Sequence, residues 1–193
     1  IDSLSHLSSP FLIIPIAVYA ILKKEELSPA DNMALLRWFY LAHMRGHYGM
    51  GSSETILDQD LSILFKKTGL KKLLDQLHLH VKKFEVDEND LAKKGIRSPF
   101  FSMLYFVLKG NGAKDWWSGL ALSKKHVGKS HAIQYHHIFP KSLLHERPEF
   151  EKQEINEIAN IAFISGKANR HILNKAPIQY FDKEVIVKRG IES

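Results

Sequence analysis

Two hydrophobic periods divide the chain. Up to about residue 120, apolar side chains recur every three or four positions, the spacing of a helix face. Near residue 132 the spacing shortens to two, the spacing of a half-buried strand. Three helix starts share one signature: Ser9-Pro10, Ser28-Pro29 and Ser98-Pro99. The Ser hydroxyl can accept from an unpaired amide of the first turn, and Pro there removes an amide that had no helical partner. The first start opens the run Phe11 to Leu22, where Pro15 predicts a kink or a delayed beginning. The second opens Ala30 to Met44, with Met33, Leu36, Trp38, Phe39, Tyr40 and Leu41 as a broad apolar face. The third opens a run through Phe100, Phe101, Leu104, Tyr105, Val107 and Leu108, stopped by Gly110-Asn-Gly112. Between them, Ser53 is predicted to cap a helix over 54–67 ended by Thr68-Gly69, and 70–81 reads as a further amphipathic helix. Asp87-Glu-Asn-Asp90 leads into a short helix ended by Gly95. Spacing does not place Trp116-Trp117, which read as core more than as base-stacking groups. The pattern predicts an α+β protein: a helical bundle over 1–122, then a small mixed domain over 123–193.

Composition narrows the function classes. The chain has 193 residues, 45% hydrophobic and 25% charged, as expected of a soluble globular protein. It has no cysteine, which excludes disulfides and thiolate zinc sites and fits a reducing cytoplasm. The longest apolar run, Phe11 to Leu22, is too short to span a bilayer, so no membrane association is expected. The chain begins on Ile1, which reads as a piece of something longer. Net charge is +6, a mild bias towards polyanions. Residues 121–193 carry +4 of it and six of the 11 histidines.

The strand-like part carries the chemistry. His131-Ala-Ile-Gln-Tyr-His-His-Ile-Phe-Pro-Lys-Ser142 ends an alternating run in two adjacent histidines. On a strand His131, Ile133, Tyr135 and His137 share one face, and Ala132, Gln134 and His136 the other. The pair diverges, so one imidazole can hold a metal while the other faces a water. A second short run, Ile161 to Ser165, follows Asn160. Gly166-Lys167 then turns the chain into a predicted helix, Ala168 to Asn174, carrying Asn169 and Arg170. Between the runs, Glu146, Glu149, Glu151, Glu154 and Glu157 read as a solvated face, one of which could complete a metal shell. His43, His47, His78 and His80 read as packing or surface residues. His145 and His171 are read as bystanders.

Taken together, His136-His137-Ile-Phe-Pro140, Asn160 and Lys167-Ala-Asn-Arg170 with Asn174-Lys175-Ala-Pro177 resemble the HNH nuclease motif, the ββα-metal site. The first part adds Arg37-Trp-Phe-Tyr-Leu-Ala, Gly46-His-Tyr-Gly, Ser53-Glu-Thr and Leu57-Asp-Gln-Asp-Leu61. With these the chain resembles the C-terminal part of GmrSD-type modification-dependent restriction enzymes. The resemblance implies a metal-dependent DNA endonuclease of an antiphage restriction system. A nucleotide-hydrolysing sensor domain would precede it in the same longer protein. It implies His137 as general base, His136 and Asn169 as ligands of a divalent metal, and Asn160 as support for the base. Arg170 and Lys175 would contact phosphate, with Lys141 and Lys167 adding charge. An Asp usually precedes the catalytic His in the related RNA-guided nucleases; here it is His136. Without that carboxylate, manganese, cobalt or nickel is expected to serve at least as well as magnesium. Two other readings stay open: a DNA-binding module with a decayed site, and an RNase of the same fold.

Overall fold

The Ser-Pro signatures open helices as the sequence predicts, and each hydroxyl caps its own first turn. Ser28 is the fullest case: its Oγ accepts from Asp31 N at 3.1 Å, and its own N–H donates to the Asp31 carboxylate at 3.0 Å. In the computed structural model, residues 7–66, 69–81, 83–123 and 125–181 are described. The expected helix end at Lys67-Thr68 and the final residues 182–193 lie outside them. Contacts gather the described residues into two units, one up to Asp87 and one from Glu88.

The first unit holds α1 (Ile13–Lys23), α2 (Pro29–Met44), α3 (Ser53–Phe65) and α4 (Gly69–His80). Pro15 sits in the first turn of α1, after a 3-10 turn over Pro10–Leu12, so it delays the helix without kinking it. Ser52, not Ser53, caps α3. Leu12, Trp38, Leu73 and Leu77 are fully buried in the core. The apolar face expected for α2 is only half right. Trp38 and Phe39 point inward with Leu35 and Ala42, whereas Met33 is 68% exposed and Leu36 47%. The run was apolar nearly all round, and such a pattern does not say which stripe meets the core.

The second unit holds α5 (Glu88–Leu91), α6 (Pro99–Gly110), β1 (Ile133–His137), α7 (Lys141–His145), α8 (Lys152–Ile155), β2 (Ile161–Ser165), α9 (Gly166–Ile172) and α10 (Pro177–Tyr180). The fold class is α+β: a mainly helical N-terminal part, then an antiparallel β1-β2 hairpin packed against α9. Every residue of β2 is buried, because both of its faces are covered. Phe163 stacks on Phe101 of α6 with ring centroids 4.8 Å apart, and Tyr105 lies 5.4 Å away. On the opposite face Ala162 and Ile164 pack with Ala168, Ile172 and Tyr180. Burying a phenylalanine of this kind is worth roughly 1.5–3 kcal/mol. Because α6 packs on the hairpin, the division between units falls at Asp87/Glu88, upstream of residue 122. Among the described residues no helix is long and apolar enough to cross a membrane.

Candidate active site

Register decides which side chains of β1 meet α9. His137 pairs with Ile161, His136 with Ala162 and Gln134 with Ile164. Alternation sends Tyr135 against Phe101, with ring centroids 4.9 Å apart, on the α6 side. Gln134 and His136 go to the α9 side, the division of faces expected from the sequence. There His136 Nδ1 lies 2.8 Å from Asn169 Oδ1, and Asn169 Nδ2 donates to Gln134 Oε1 at 2.7 Å.

His136, His137, Lys141, Asn169 and Arg170 line one cleft of about 500 Å³, with Tyr135, Pro140, Ser142, Leu173 and Asn174 completing its wall. His136 is 4% exposed. The Nε2 atoms of both His136 and His137 are buried and lack a hydrogen-bond partner among the described residues. Burial pushes the His136 imidazole below its ordinary value, against a smaller upward pull from the Asn169 hydrogen bond. Burial also pushes His137 down; the Lys141 cation and His136 push the same way, and the Asn156 side chain opposes them. Both rings are therefore held neutral near pH 7.

Asn160 stands behind the cleft and ties the loop that follows His137. Its Oδ1 accepts from Phe139 N at 2.7 Å, and its Nδ2 donates to the carbonyls of Phe139 and Ile155, each at 3.0 Å. Its backbone carbonyl accepts from Ile138 N at 2.9 Å. One side chain thus fixes the residues that leave β1.

The start of α9 differs from the turn read at Gly166-Lys167. Gly166 is already in the helix, Ser165 caps it through Ala168 N at 3.2 Å, and the Lys129–Ala132 segment passes directly over its first turn. A Cβ on Gly166 would lie 2.1 Å from Lys129 O, so only glycine fits. Gly166 N donates to Ala132 O and Lys167 N to Ser130 O. Arg170 joins the same fastening: Nη1 donates to Lys129 O at 2.8 Å and Nη2 to Ser130 Oγ at 3.2 Å. Its charge borders the cleft while its guanidinium holds the overlying segment. Lys167 is exposed, and neither it nor Lys175 lines the cleft.

Several supporting residues were not found from sequence. Asp115 is 3% exposed; Oδ1 accepts from Ser165 N at 2.6 Å and Oδ2 from Ser118 N at 2.7 Å, anchoring the junction of β2 and α9. Burial opposes ionisation, yet the hydrogen bonds from Ser118 and Ser165 hold its carboxyl below the ordinary range. Trp117 packs on His171 with centroids 3.9 Å apart, and Trp116 lies 6.4 Å from Tyr180. Tyr180 is fully buried, its ring 6.1 Å from that of His136, and its hydroxyl donates to Ile138 O at 2.9 Å. Burial pushes that phenol up to about 12. The glutamates between the strands do not border the cleft. Glu151 pairs with Lys93 at 2.8 Å, Glu157 accepts from Lys93 N at 3.1 Å, and Glu154 accepts from Glu151 N at 2.8 Å.

The donor set suits a divalent ion: an imidazole nitrogen and an amide oxygen meet at the cleft, hydrogen-bonded to each other at 2.8 Å, and an ion held by both would replace that bond. Both are neutral, and among the described residues no group of three or more His, Asp or Glu gathers as a metal cage. His136 and Asn169 are the side chains that would hold an ion here. Comparisons of the chain with protein-family models, curated proteins and solved structures find no match.

Proposed function

We propose that this chain is the HNH-type nuclease module of a cytoplasmic antiphage restriction protein, cleaving DNA phosphodiesters with a divalent metal. The observation that carries the reading is the convergence of His136, His137 and Asn169 on one cleft, from the hairpin and its helix, as the motif requires. The neutral His137 imidazole takes a proton from a water molecule, and the resulting hydroxide attacks phosphorus in line. Asn160 keeps the backbone after His137 in place, so the ring approaches that water from a fixed direction. Lys141, on the cleft wall, draws phosphate oxygens in; Arg170 adds a second cation there. His136 and Asn169 would hold the ion, which when bound supplies positive charge to the phosphate and to the leaving oxygen. By the same resemblance, a nucleotide-hydrolysing sensor domain elsewhere in the longer protein would govern access to DNA.

The test is supercoiled plasmid incubated with metal-stripped protein plus magnesium, manganese or no metal. Nicking that needs metal, and is at least as fast with manganese as with magnesium, is the expected result. Binding without cleavage in every metal would make this a non-catalytic DNA-binding module. Cleavage of single-stranded RNA alone, in a parallel reaction, would reassign the substrate.

A further inference from the structure

The geometry points to Gln134 as the positioning residue that makes Asn169 usable as a metal ligand; this rests on the metal-dependent reading above. The oxygen and nitrogen of an amide are nearly the same size, so packing alone hardly distinguishes the two orientations of an Asn side chain. Hydrogen bonding does. Asn169 Nδ2 donates to Gln134 Oε1 at 2.7 Å, which leaves Oδ1 as the atom turned to His136 Nδ1, 2.8 Å away. The reverse orientation would aim an N–H pair at the position of a cation. With Gln134 in the orientation that keeps its Nε2 on the Gly166 side, it would also face Gln134 Oε1 with a second oxygen.

The backbone makes this relay possible. Gln134 and His136 are two residues apart on β1 and so share the face turned to α9, where Asn169 lies. Gln134 is half-buried against the first turn of that helix. A Cβ on Gly166 would lie 3.1 Å from Gln134 Nε2, so the glycine leaves room for this side chain as well as for Lys129. Gln134 itself is absent from the lining of the cleft. It touches neither ion nor substrate, and it acts through Asn169.

Three variants of the full chain test this, with manganese affinity of the metal-stripped protein read by calorimetry. Gln134→Met keeps length and bulk but cannot accept a hydrogen bond. It should weaken manganese binding by about 10–100-fold, the usual effect of losing an outer-shell partner. Gln134→Glu retains the acceptor and should bind at least as tightly as the parent. In an Asn169→Asp background the ligand has two equivalent oxygens, so orientation no longer matters. Adding Gln134→Met there should cost less than about twofold. A merely structural role would cost the same in both backgrounds, and that outcome overturns the inference. So does parental affinity in Gln134→Met on the native background. A parent protein that binds no manganese at all, while melting cooperatively, removes the metal reading and this inference together.

Discussion

In the helical unit His47 is fully buried, and its Nε2 meets an Asp60 carboxylate oxygen at 2.9 Å. The Tyr48 hydroxyl donates to that same oxygen at 2.8 Å. Burial, and then the Asp60 charge, push the Tyr48 phenol far above its ordinary value. In the hairpin unit His136 is almost as buried, but its partner is the Asn169 amide, and its ring borders an open cleft. His137 beside it faces a lysine in place of a carboxylate. A histidine tied to a buried carboxylate is committed: moving it takes from a buried acid one of the two partners its oxygen has, the Tyr48 hydroxyl being the other. A histidine held by an amide and kept neutral by burial retains a lone pair for a proton or a metal. The sequence already ranks His47 as a packing or surface residue and His136, through the motif, as a ligand; the identity of the partner supplies the physical reason.

The largest expected effect separates the two sites by function. His137→Ala should lower plasmid nicking by about 10²–10⁴-fold while manganese and DNA still bind, because only the base is lost. His47→Ala, measured on the folded fraction, should leave the nicking rate unchanged. Equal losses in both would erase the contrast drawn here, and full activity in His137→Ala would remove the base assignment. Next comes stability. Asp60→Ala leaves His47 Nε2 and the Tyr48 hydroxyl without their acceptor, so urea unfolding should show a loss of roughly 2–4 kcal/mol. Loss of less than about 0.5 kcal/mol would mean that water already serves those groups.

The third effect lies behind the cleft. Asp115→Ala should cost about 2 kcal/mol by stranding the amides of Ser118 and Ser165. Its sign with pH is fixed by the lowered carboxyl. The folded state favours the ionised form, so its contribution is complete above the unfolded value near 3.9 and is lost as pH falls through the lower folded value. Acid unfolding followed in parent and Asp115→Asn should therefore converge at low pH and separate above about pH 4. The smallest effect concerns Leu173, which ends α9 at φ 53° and ψ −129°, a conformation L residues rarely adopt, and is 62% exposed on the cleft wall. Leu173→Gly should raise stability by about 1 kcal/mol. A fall in the melting temperature would show that the leucine side chain contributes more than its backbone costs.

The local signals were legible and the long-range ones were not. Ser-Pro starts, the two short strands and the ββα order all follow from neighbours in sequence, and β2 lies where the short apolar run Ile161 to Ser165 follows Asn160. The roles proposed for His136, Asn160 and Asn169 came through the motif resemblance; what the structure adds is that His136 and Asn169 meet in one cleft and that Asn160 ties the loop after β1. What spacing could not supply was any contact made far along the chain. Asp115 reaches Ser165 across fifty positions, and Arg170 reaches Lys129 across forty-one. Nothing in the run Lys114-Asp-Trp-Trp-Ser118 marks its aspartate as buried. Arg170 read as a phosphate ligand because a guanidinium beside a motif Asn suits an anion, yet its Nη atoms already meet a backbone carbonyl and a hydroxyl. Gln134 was placed on the correct face, but no rule of composition gives a neutral amide a task.

Tyr180 has a consequence for trimming or transplanting this unit. Measured by its sequence motif, a ββα site is complete by about residue 176. A fragment cut there would keep every residue lining the cleft. It would also lose the phenol whose hydroxyl holds Ile138 O and whose ring fills the space beside His136. At the other end, a fragment begun at residue 123 would lack Asp115 and both tryptophans, and with them the anchor of α9. The portable piece begins before α6 and runs past Tyr180, because its limits are set by what the strands lean on.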